Sequence, residues 1–236
     1  MTAQASTPFP HLPRAERAAL RRLCALDADL AAIEARAGRL PWRTRTSGFE
    51  GLLSAITAQQ ISNAAAAAIW ARIVALPGAL DPAAFLAIPD EVLRGAGFSR
   101  QKIVYGRLLA EAFAEGRLSA AMLDTMEDEA AVAAISAIKG LGRWTAEVYL
   151  LFAHGRRDVF PAADLVLAAA AQDIKALPER PGPKALVELA ETWRPYRGLA
   201  ARLLWHHWRA VTSRPSFDDI PRPPPVGDGG SGRPAV

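Results

Sequence analysis

The sequence contains a single cysteine, Cys24, among 236 residues. One thiol excludes a disulfide within the chain, and it excludes an iron–sulfur cluster held only by cysteines of one chain. Cys24 falls on the apolar face of a predicted helix, where a thiol more often packs than reacts. The low cysteine content is typical of a reducing compartment, and we expect a cytoplasmic protein.

Membrane and metal patterns are missing as well. No apolar run approaches the roughly 18 residues of a membrane-spanning helix, and residues 1–13 lack the pattern of a secretion signal. His206 and His207 are adjacent in a predicted helix, where neighbouring side chains diverge by about 100°. A metal shared by this pair is therefore not expected, and no zinc-ligand spacing occurs elsewhere.

Alternation of apolar and polar residues with a period of two, which marks half-buried strands, is also absent. Half of the residues are apolar, which fits a globular protein, and the net charge of +4 favours polyanionic partners only mildly. We predict an all-α fold with a loose lead-in over residues 1–12, a helical domain over 13–214 and a disordered Pro/Gly-rich tail over 215–236. The predicted helices cover residues 13–25, 27–37, 48–59, 63–76, 82–87, 90–95, 100–115, 127–137, 143–153, 165–177, 183–193 and 196–211.

The most informative stretch is Lys139-Gly140-Leu141-Gly142-Arg143-Trp144-Thr145-Ala146, between two predicted helices. The two glycines allow a sharp bend and a close approach of the backbone to another molecule. The amides that follow open a helix, and such amides can bind a phosphate. The glycines alone favour an ordinary turn that ends the preceding helix.

This motif resembles the helix-hairpin-helix DNA glycosylases, and more narrowly their DNA-3-methyladenine glycosylase II branch. An acidic residue, Asp164, follows about twenty positions later, after Val159-Phe160-Pro161. The resemblance extends to residues 49–62, where 58–62 (Ala-Gln-Gln-Ile-Ser) match, to 97–99 with Lys102, and to 193–205. It implies two helical lobes with a DNA-binding cleft between them and a helix-hairpin-helix motif at about 128–153. It also implies the compact form, which has no N-terminal β domain.

The resemblance makes Asp164 the catalytic residue. Its position before a predicted helix is equally that of an ordinary helix-capping residue. An ionised carboxylate beside the sugar would stabilise the positive charge that develops at C1′ as the base departs. Asp158 is interpreted as a loop residue. The family commonly has two adjacent acids where this chain has Ala163-Asp164, and the segment after Asp164 lacks the usual basic residues.

Trp144 indicates the subclass. Relatives that also cleave the strand have a lysine at this position, whose amine attacks C1′, and an indole cannot do so. We therefore expect a monofunctional enzyme, with Lys139 and Lys102 as the remaining amine candidates. Alkylated purines carry a positive charge and leave without a general acid, so an aromatic pocket can suffice for them. The predicted base-pocket residues are Trp144, Trp205, Tyr149 and Phe49, whereas Trp42, Trp70, Trp193 and Trp208 are expected to pack in the core.

The remaining implied contacts are with double-stranded DNA. Gln60 is the predicted plug that fills the gap left by the extruded nucleotide, although a polar corner of this kind can also simply bond its own loop. Arg100 and Lys102 lie in a first helical turn, where they are either solvated or facing phosphate. The predicted DNA-binding residues are Lys139, Gly140, Gly142, Arg143, Thr145, Gln59, Gln60, Ile61, Ser99 and Lys102.

The resemblance thus predicts a monomeric glycosylase that removes alkylated purines from duplex DNA, the first step of base excision repair. It needs no cofactor, although relatives often hold a sodium or potassium ion through hairpin carbonyls, here near Ile138. Two alternatives stay open. One is a glycosylase for deaminated, oxidised or mismatched bases, and the other is a non-catalytic helix-hairpin-helix module that only binds DNA.

Overall fold

The computed structural model describes residues 9–213, which form helices joined by short loops and contain no strand. The all-α prediction is therefore confirmed for this part of the chain. None of the helices within it has the length and the apolar character needed to cross a membrane. The helices are α1 (Arg14–Leu26), α2 (Ala28–Ala31), α3 (Ile33–Ala37), α4 (Gly48–Ala58), α5 (Asn63–Val74), α6 (Pro82–Ala87), α7 (Asp90–Gly95), α8 (Arg100–Ala114), α9 (Ala120–Thr125), α10 (Asp128–Ser136), α11 (Arg143–Ala153), α12 (Leu165–Ile174), α13 (Pro183–Ala190) and α14 (Arg197–Thr212).

Most predicted helices are present within a few residues of their expected ends. The helix predicted over 27–37 is interrupted, and α2 and α3 meet at Ala32. The helix predicted over 183–193 ends as a short 3-10 turn at Glu191–Trp193. Helix α9 was not predicted. It begins after Ser119, whose hydroxyl accepts a hydrogen bond from the amide of Met122. A serine that caps a short apolar stretch was the available signal for this helix.

Two hydrophobic cores divide the described chain into the two expected lobes. The first core is built by residues between Phe49 and Val159. The second joins the N-terminal helices, from Phe9 to Leu40, with the C-terminal segment up to Trp205. Helix α11 belongs to both cores, because Leu150 packs in the first and Phe152 in the second. The chain therefore crosses between the lobes through α11, and the glycine-rich link stands at the start of that helix.

The lead-in is more ordered than expected where the structure describes it. Phe9 and Leu12 are buried in the second core, and the amide of Phe9 donates to Glu34 Oε2 at 2.8 Å. The prediction of a loose segment up to residue 12 was therefore wrong for residues 9–12. The apolar side chains of Phe9 and Leu12 pack in the core in spite of the neighbouring prolines. The predicted tail at 215–236 lies outside the described residues.

The residues assigned to core packing lie where they were expected. Cys24 contacts the second core, and burial raises the pKa of its thiol to about 11. A thiol with such a pKa is almost entirely protonated at neutral pH and is a poor nucleophile. Four tryptophans pack in or against the cores, namely Trp42, Trp70, Trp193 and Trp208.

Candidate active site and DNA-binding cleft

The link between α10 and α11 is a tight hairpin that requires glycine at one of its two glycine positions. Gly140 has φ +96°, and a Cβ atom there would lie 2.3 Å from the ring of Tyr105. Gly142 has an ordinary φ of −76° and open space beside it. Since Gly142 has no side chain, no side chain caps the first turn of α11. The amides of that turn therefore remain available to an anion.

A second corner lies beside the hairpin and is tied to it. Gln59 ends α4, and its side-chain amide donates to the carbonyl oxygen of Gly140 at 2.7 Å. Gln60 follows with φ +58°, a left-handed conformation that is uncommon for a residue other than glycine. Its side chain is exposed. The polar corner is thus bonded to the hairpin through Gln59, while Gln60 projects outward.

Lys102 stabilises this corner through a hydrogen bond to the end of α4. Its side chain is only 8% exposed, and the ammonium group donates to the carbonyl oxygen of Thr57, at the end of α4, at 2.6 Å. Burial lowers the pKa of Lys102. Lys102 was predicted to be either solvated or facing a phosphate. It is instead buried, and its ammonium group bonds the carbonyl end of α4. Arg100, in contrast, is exposed at the start of α8.

A cavity of about 760 Å³ lies between the corner and the hairpin. This volume is typical of pockets that bind small ligands. Most of the predicted DNA-binding residues line it, and Arg143 does not. The lining includes Gln59, Gln60, Ile61, Ser99, Lys102, Lys139, Gly140, Gly142 and Thr145, together with Ile138, Trp144, Val148, Tyr149, Tyr105 and Arg45.

Asp164 lies behind Trp144, at the start of α12. Its Oδ1 atom accepts hydrogen bonds from the amides of Val166 and Leu167, at 2.8 and 2.9 Å. The indole N–H groups of Trp144 and Trp205 donate to Oδ2 and Oδ1, at 2.9 and 3.3 Å. All these partners are donors, and an ionised carboxylate is an acceptor only. The arrangement therefore suits the negatively charged form of Asp164.

Two predicted pocket residues do not line the cavity. Phe49 is 5% exposed and packs edge-on against Phe85 and Phe113 in the first core, because the apolar face of α4 turns inward there. Its assignment to the base pocket is therefore corrected to core packing. Trp205 is buried, and it contacts Phe152 and the Asp164 carboxylate. It supports Asp164 from behind.

The structure also shows a polar chain that sequence patterns did not reveal. The Tyr149 hydroxyl accepts from the amide of Gly48 at 2.7 Å and lies 3.2 Å from Nε2 of His154. Nδ1 of His154 lies 2.6 Å from the carboxylate of Asp124. Burial raises the pKa of Tyr149 to about 12. These contacts fix the ring of Tyr149 in the cavity wall, and Gly48 and Asp124 are too far from Tyr149 and His154 in the sequence to form a motif with them.

Arg143 is held by two carboxylates. Its guanidinium bonds Glu129 at 2.7 Å and Glu147 at 2.8 Å. Glu147 is 4% exposed, and burial raises its pKa to about 7 in spite of the arginine. A DNA phosphate would have to compete with these acids for Arg143.

The hairpin carbonyls fit only part of a site for a monovalent cation. The carbonyl oxygen of Ile138 accepts from the amide of Leu141 at 3.0 Å, and that of Gly140 accepts from Gln59. Each carbonyl oxygen has a second lone pair that could bind a cation. Cation binding at Ile138 therefore stays a prediction.

Comparison with known proteins agrees with this geometry. A sequence profile of the HhH-GPD superfamily of base excision DNA repair proteins matches residues 53–195, which include the corner, the hairpin and Asp164. The chain belongs to this superfamily. The alkylbase DNA glycosidase-like protein mag2 of Schizosaccharomyces pombe is 32% identical over 162 residues, covering 66% of this chain and 76% of that protein.

Two solved structures of DNA glycosylases are also similar. The crystal structure of the DNA-3-methyladenine glycosidase from Bacillus halodurans has a TM-score of 0.75 and 33% identity, covering 83% of this chain and 91% of the other. The Schizosaccharomyces pombe 3-methyladenine DNA glycosylase Mag1, solved in complex with abasic DNA, has a TM-score of 0.69 and 29% identity, covering 81% and 95%. The predicted family is thus confirmed.

The buried carboxyl of Glu147 generates a prediction about stability. Its pKa is raised from 4.5 to about 7 in the folded protein, so the folded state binds more protons than the unfolded state between these values. The free energy of unfolding should therefore fall as the pH rises from about 4.5 to about 7. Glu147→Gln should remove this loss and be more stable than the wild type at pH 8 by about 1 to 3 kcal/mol.

Urea unfolding at pH 5 and pH 8 checks this prediction. Glu129→Gln is the matched control, because Glu129 also bonds Arg143 but is exposed. Equal stability differences between Glu147→Gln and the wild type at the two pH values would contradict it.

Proposed function

We propose that this protein is a monofunctional DNA glycosylase that hydrolyses the N-glycosidic bond of alkylated purines of the 3-methyladenine type in duplex DNA. The observation that carries the proposal is the Asp164 carboxylate, held by N–H donors directly behind the cavity-lining Trp144. The relatives named as 3-methyladenine glycosylases support the substrate class. A cytoplasmic location and a monomeric state, both expected from the sequence, belong to the same proposal.

The reaction requires stabilisation of a cationic sugar. As the C1′–N bond breaks, its electron pair leaves with the base and C1′ acquires positive charge. Oδ2 of Asp164 has one hydrogen-bond partner, Trp144, whereas Oδ1 has three. Oδ2 therefore has more capacity to accept a further hydrogen bond, and in this proposal it is the atom that faces the sugar and orients the attacking water, whose oxygen bonds C1′ while its proton passes to solvent. An alkylated purine that starts with a positive charge leaves as a neutral molecule.

Trp144 has two roles in this proposal. Its indole ring contributes an aromatic wall to the cavity, and its N–H group fixes the carboxylate. A cationic purine is attracted to the face of an indole, and such a contact contributes roughly 0.5–2 kcal/mol. No amine takes the place of this side chain, so the enzyme releases the base and leaves an abasic site.

Extrusion of the base costs a few kcal/mol of stacking and pairing energy. The uncapped amides of α11 and Lys139 at the hairpin would bind the backbone near the lesion and offset part of this cost. In this proposal Gln60 fills the gap in the duplex, and its exposed side chain and left-handed backbone conformation support that role. Its neighbour Gln59 bonds that corner to the hairpin, so the hairpin would bind the DNA backbone at the same time as Gln60 fills the gap.

Excision assays test the proposed substrate. Under single-turnover conditions, we expect the fastest base release from a methylated duplex and slower release from duplexes containing uracil or 8-oxoguanine. Asp164→Asn should lower the rate on methylated DNA by about 100-fold or more, because electrostatic stabilisers of charged transition states contribute on this scale. Its DNA affinity should stay within about threefold of the wild type, since no phosphate contact is removed.

Asp81→Asn is the matched control, because Asp81 also caps a helix, α6, through the amide of Ala84 and does not line the cavity. It should keep wild-type rates. Faster release of uracil or 8-oxoguanine would favour the sibling glycosylases, and DNA binding without any base release would favour the non-catalytic module. Near wild-type excision by Asp164→Asn would refute the role of Asp164.

Reduction with borohydride tests the monofunctional mechanism. A bifunctional glycosylase forms a Schiff base between an amine and C1′, which borohydride traps as a covalent adduct. We expect no adduct by denaturing electrophoresis, because Trp144 offers no amine and Lys102 is bonded to Thr57. Trapping that disappears in Lys139→Met or Lys102→Met would contradict this mechanism and identify the nucleophile.

Gln60→Ala tests the proposed plug. The variant should bind undamaged duplex like the wild type, but it should bind a duplex with an abasic-site analogue about tenfold more weakly, since the unfilled gap leaves the flanking bases unstacked. Fluorescence anisotropy with the two duplexes measures both affinities. Equal changes for the two duplexes would show that Gln60 serves only its own loop.

A further inference from the structure

Helix α14 carries a buried charge that the proposed chemistry does not use. Arg202 is 5% exposed and lies three residues before Trp205, on the same side of the helix. A guanidinium stays charged in proteins, and burial of a charge is costly unless the charged group is well bonded. Arg202 is not among the residues that line the cavity, so it does not touch a base held there. Any role in excision must therefore act through the residues that it contacts.

The guanidinium of Arg202 joins two segments of the chain, and each segment provides one carbonyl oxygen and one aromatic ring. In the loop before α4, it donates to the carbonyl oxygen of Arg43 at 2.8 Å, and its central carbon lies 4.4 Å from the centroid of the Trp42 ring. Near the end of α11, it donates to the carbonyl oxygen of Leu151 at 2.9 Å, and the same carbon lies 4.1 Å from the centroid of the Phe152 ring. A planar cation with several N–H donors can make both kinds of contact at once. Arg202 therefore fixes Phe152 relative to the loop.

Phe152 connects Arg202 to the carboxylate of Asp164. Its ring contacts the indole of Trp205, with 5.7 Å between the centroids, and that indole donates to Oδ1 of Asp164 at 3.3 Å. The other three hydrogen bonds of this carboxylate are shorter, at 2.8, 2.9 and 2.9 Å. An N–H···O distance of 3.3 Å is already longer than usual, so a small shift of the indole breaks this bond. The bond from Trp205 therefore depends on the packing of Phe152.

The cavity wall next to Phe152 has a separate support. The backbone amide of Arg45 donates to the carbonyl oxygen of Phe152 at 2.9 Å, and Arg45 lines the cavity. This backbone bond remains when the side chain of Arg202 is removed. The Phe152 ring, in contrast, would lose the contact that holds it on the Arg202 side. Removal of the guanidinium should therefore disturb the aromatic contacts behind Asp164 more than the wall of the cavity.

We propose that Arg202 is a positioning residue for excision, because its guanidinium holds Phe152 and Phe152 holds the Trp205 indole within hydrogen-bonding distance of Asp164. With Trp205 bonded, three donors fix Oδ1, and Oδ2 keeps its orientation toward the sugar. Without that bond, the carboxylate can turn, and its charge is no longer directed at C1′. The chemical step then slows, while DNA binding at the hairpin and at Gln60 is unchanged. The inference rests on the proposed function, in which Asp164 stabilises the cationic sugar.

Single-turnover excision from the methylated duplex, at a series of enzyme concentrations, separates the maximal rate from the half-saturating concentration. Arg202→Met should lower the maximal rate roughly 10- to 100-fold, since misplacement of a group near the reacting atoms costs this much. The half-saturating concentration should stay within about threefold. Arg202→Lys should give an intermediate rate, because it keeps the charge and loses the planar fork. Urea unfolding shows which variants are folded, and Arg202→Lys replaces Arg202→Met below if the latter is not.

A double-mutant cycle with Trp205→Phe tests whether Arg202 acts through Trp205. Trp205→Phe keeps an aromatic ring beside Phe152 and removes the indole N–H, so it should also lower the maximal rate. The double variant Arg202→Met/Trp205→Phe should lose at most about threefold beyond the slower single variant, because residues of one contact network are not additive. If the two losses multiply instead, Arg202 affects the rate by another route and the inference is overturned.

Arg107→Met is the matched control, because the Arg107 guanidinium also donates to two backbone carbonyl oxygens, those of Leu86 and Ile88, at 2.8 and 2.7 Å. It should be less stable in urea but keep the maximal rate within about twofold, and its effect should multiply with that of Trp205→Phe. A wild-type maximal rate in both Arg202 variants, or a change confined to the half-saturating concentration, would also overturn the inference. Absence of excision by the wild type would refute the proposed function as well, whereas an active wild type with multiplying losses leaves that function standing.

Discussion

The contact between the indole N–H of Trp144 and the carboxylate of Asp164, at 2.9 Å, joins the two parts of this site. Trp144 belongs to the helix that follows the hairpin, and Asp164 caps the next helix of the chain. The distance between the hairpin and the Asp164 carboxylate therefore depends on how α11 packs against the rest of the protein. Since α11 packs in both cores, displacement of either lobe would move Trp144 relative to Asp164. The geometry of the site therefore depends on the packing of both cores.

Local patterns in the sequence were sufficient for most of the helices, the hairpin and the capping position of Asp164. Each of these depends on residues only a few positions apart, such as Gly140 with Gly142, or Asp164 with the two amides that follow it. The orientation of Phe49 was not predictable in this way. Its helical spacing fits the core and a pocket equally well, and only the packing of Phe85 and Phe113 around it decides between them.

Lys102, Arg143 and Arg45 show the same limit for charged residues. A basic side chain in a DNA-binding protein suggests a phosphate contact. In the structure, however, Lys102 bonds the carbonyl of Thr57 at the end of a helix, and Arg143 forms ion pairs with two glutamates. The partner of Lys102 is a backbone carbonyl 45 residues away. Residue type in a single sequence carries no information about such a partner. The position of Arg45 depends likewise on Phe152, more than a hundred residues further along the chain.

Helices α11 and α12 differ in whether a side chain of the protein accepts hydrogen bonds from the amides of their first turn. Both begin with amides that need an acceptor. Asp164 supplies that acceptor to α12 from within the chain, whereas Gly142 leaves α11 without one. Arg143 beside the open end is bonded to Glu129 and Glu147, so under the proposed function the hairpin would attract a phosphate chiefly through its backbone amides and Lys139. Backbone amides have fixed positions, and a phosphate bound by them is held at a defined distance from the carboxylate. Under the proposed function, the hairpin would therefore place a sugar near Asp164 without reading the base, while the cavity wall would discriminate among bases.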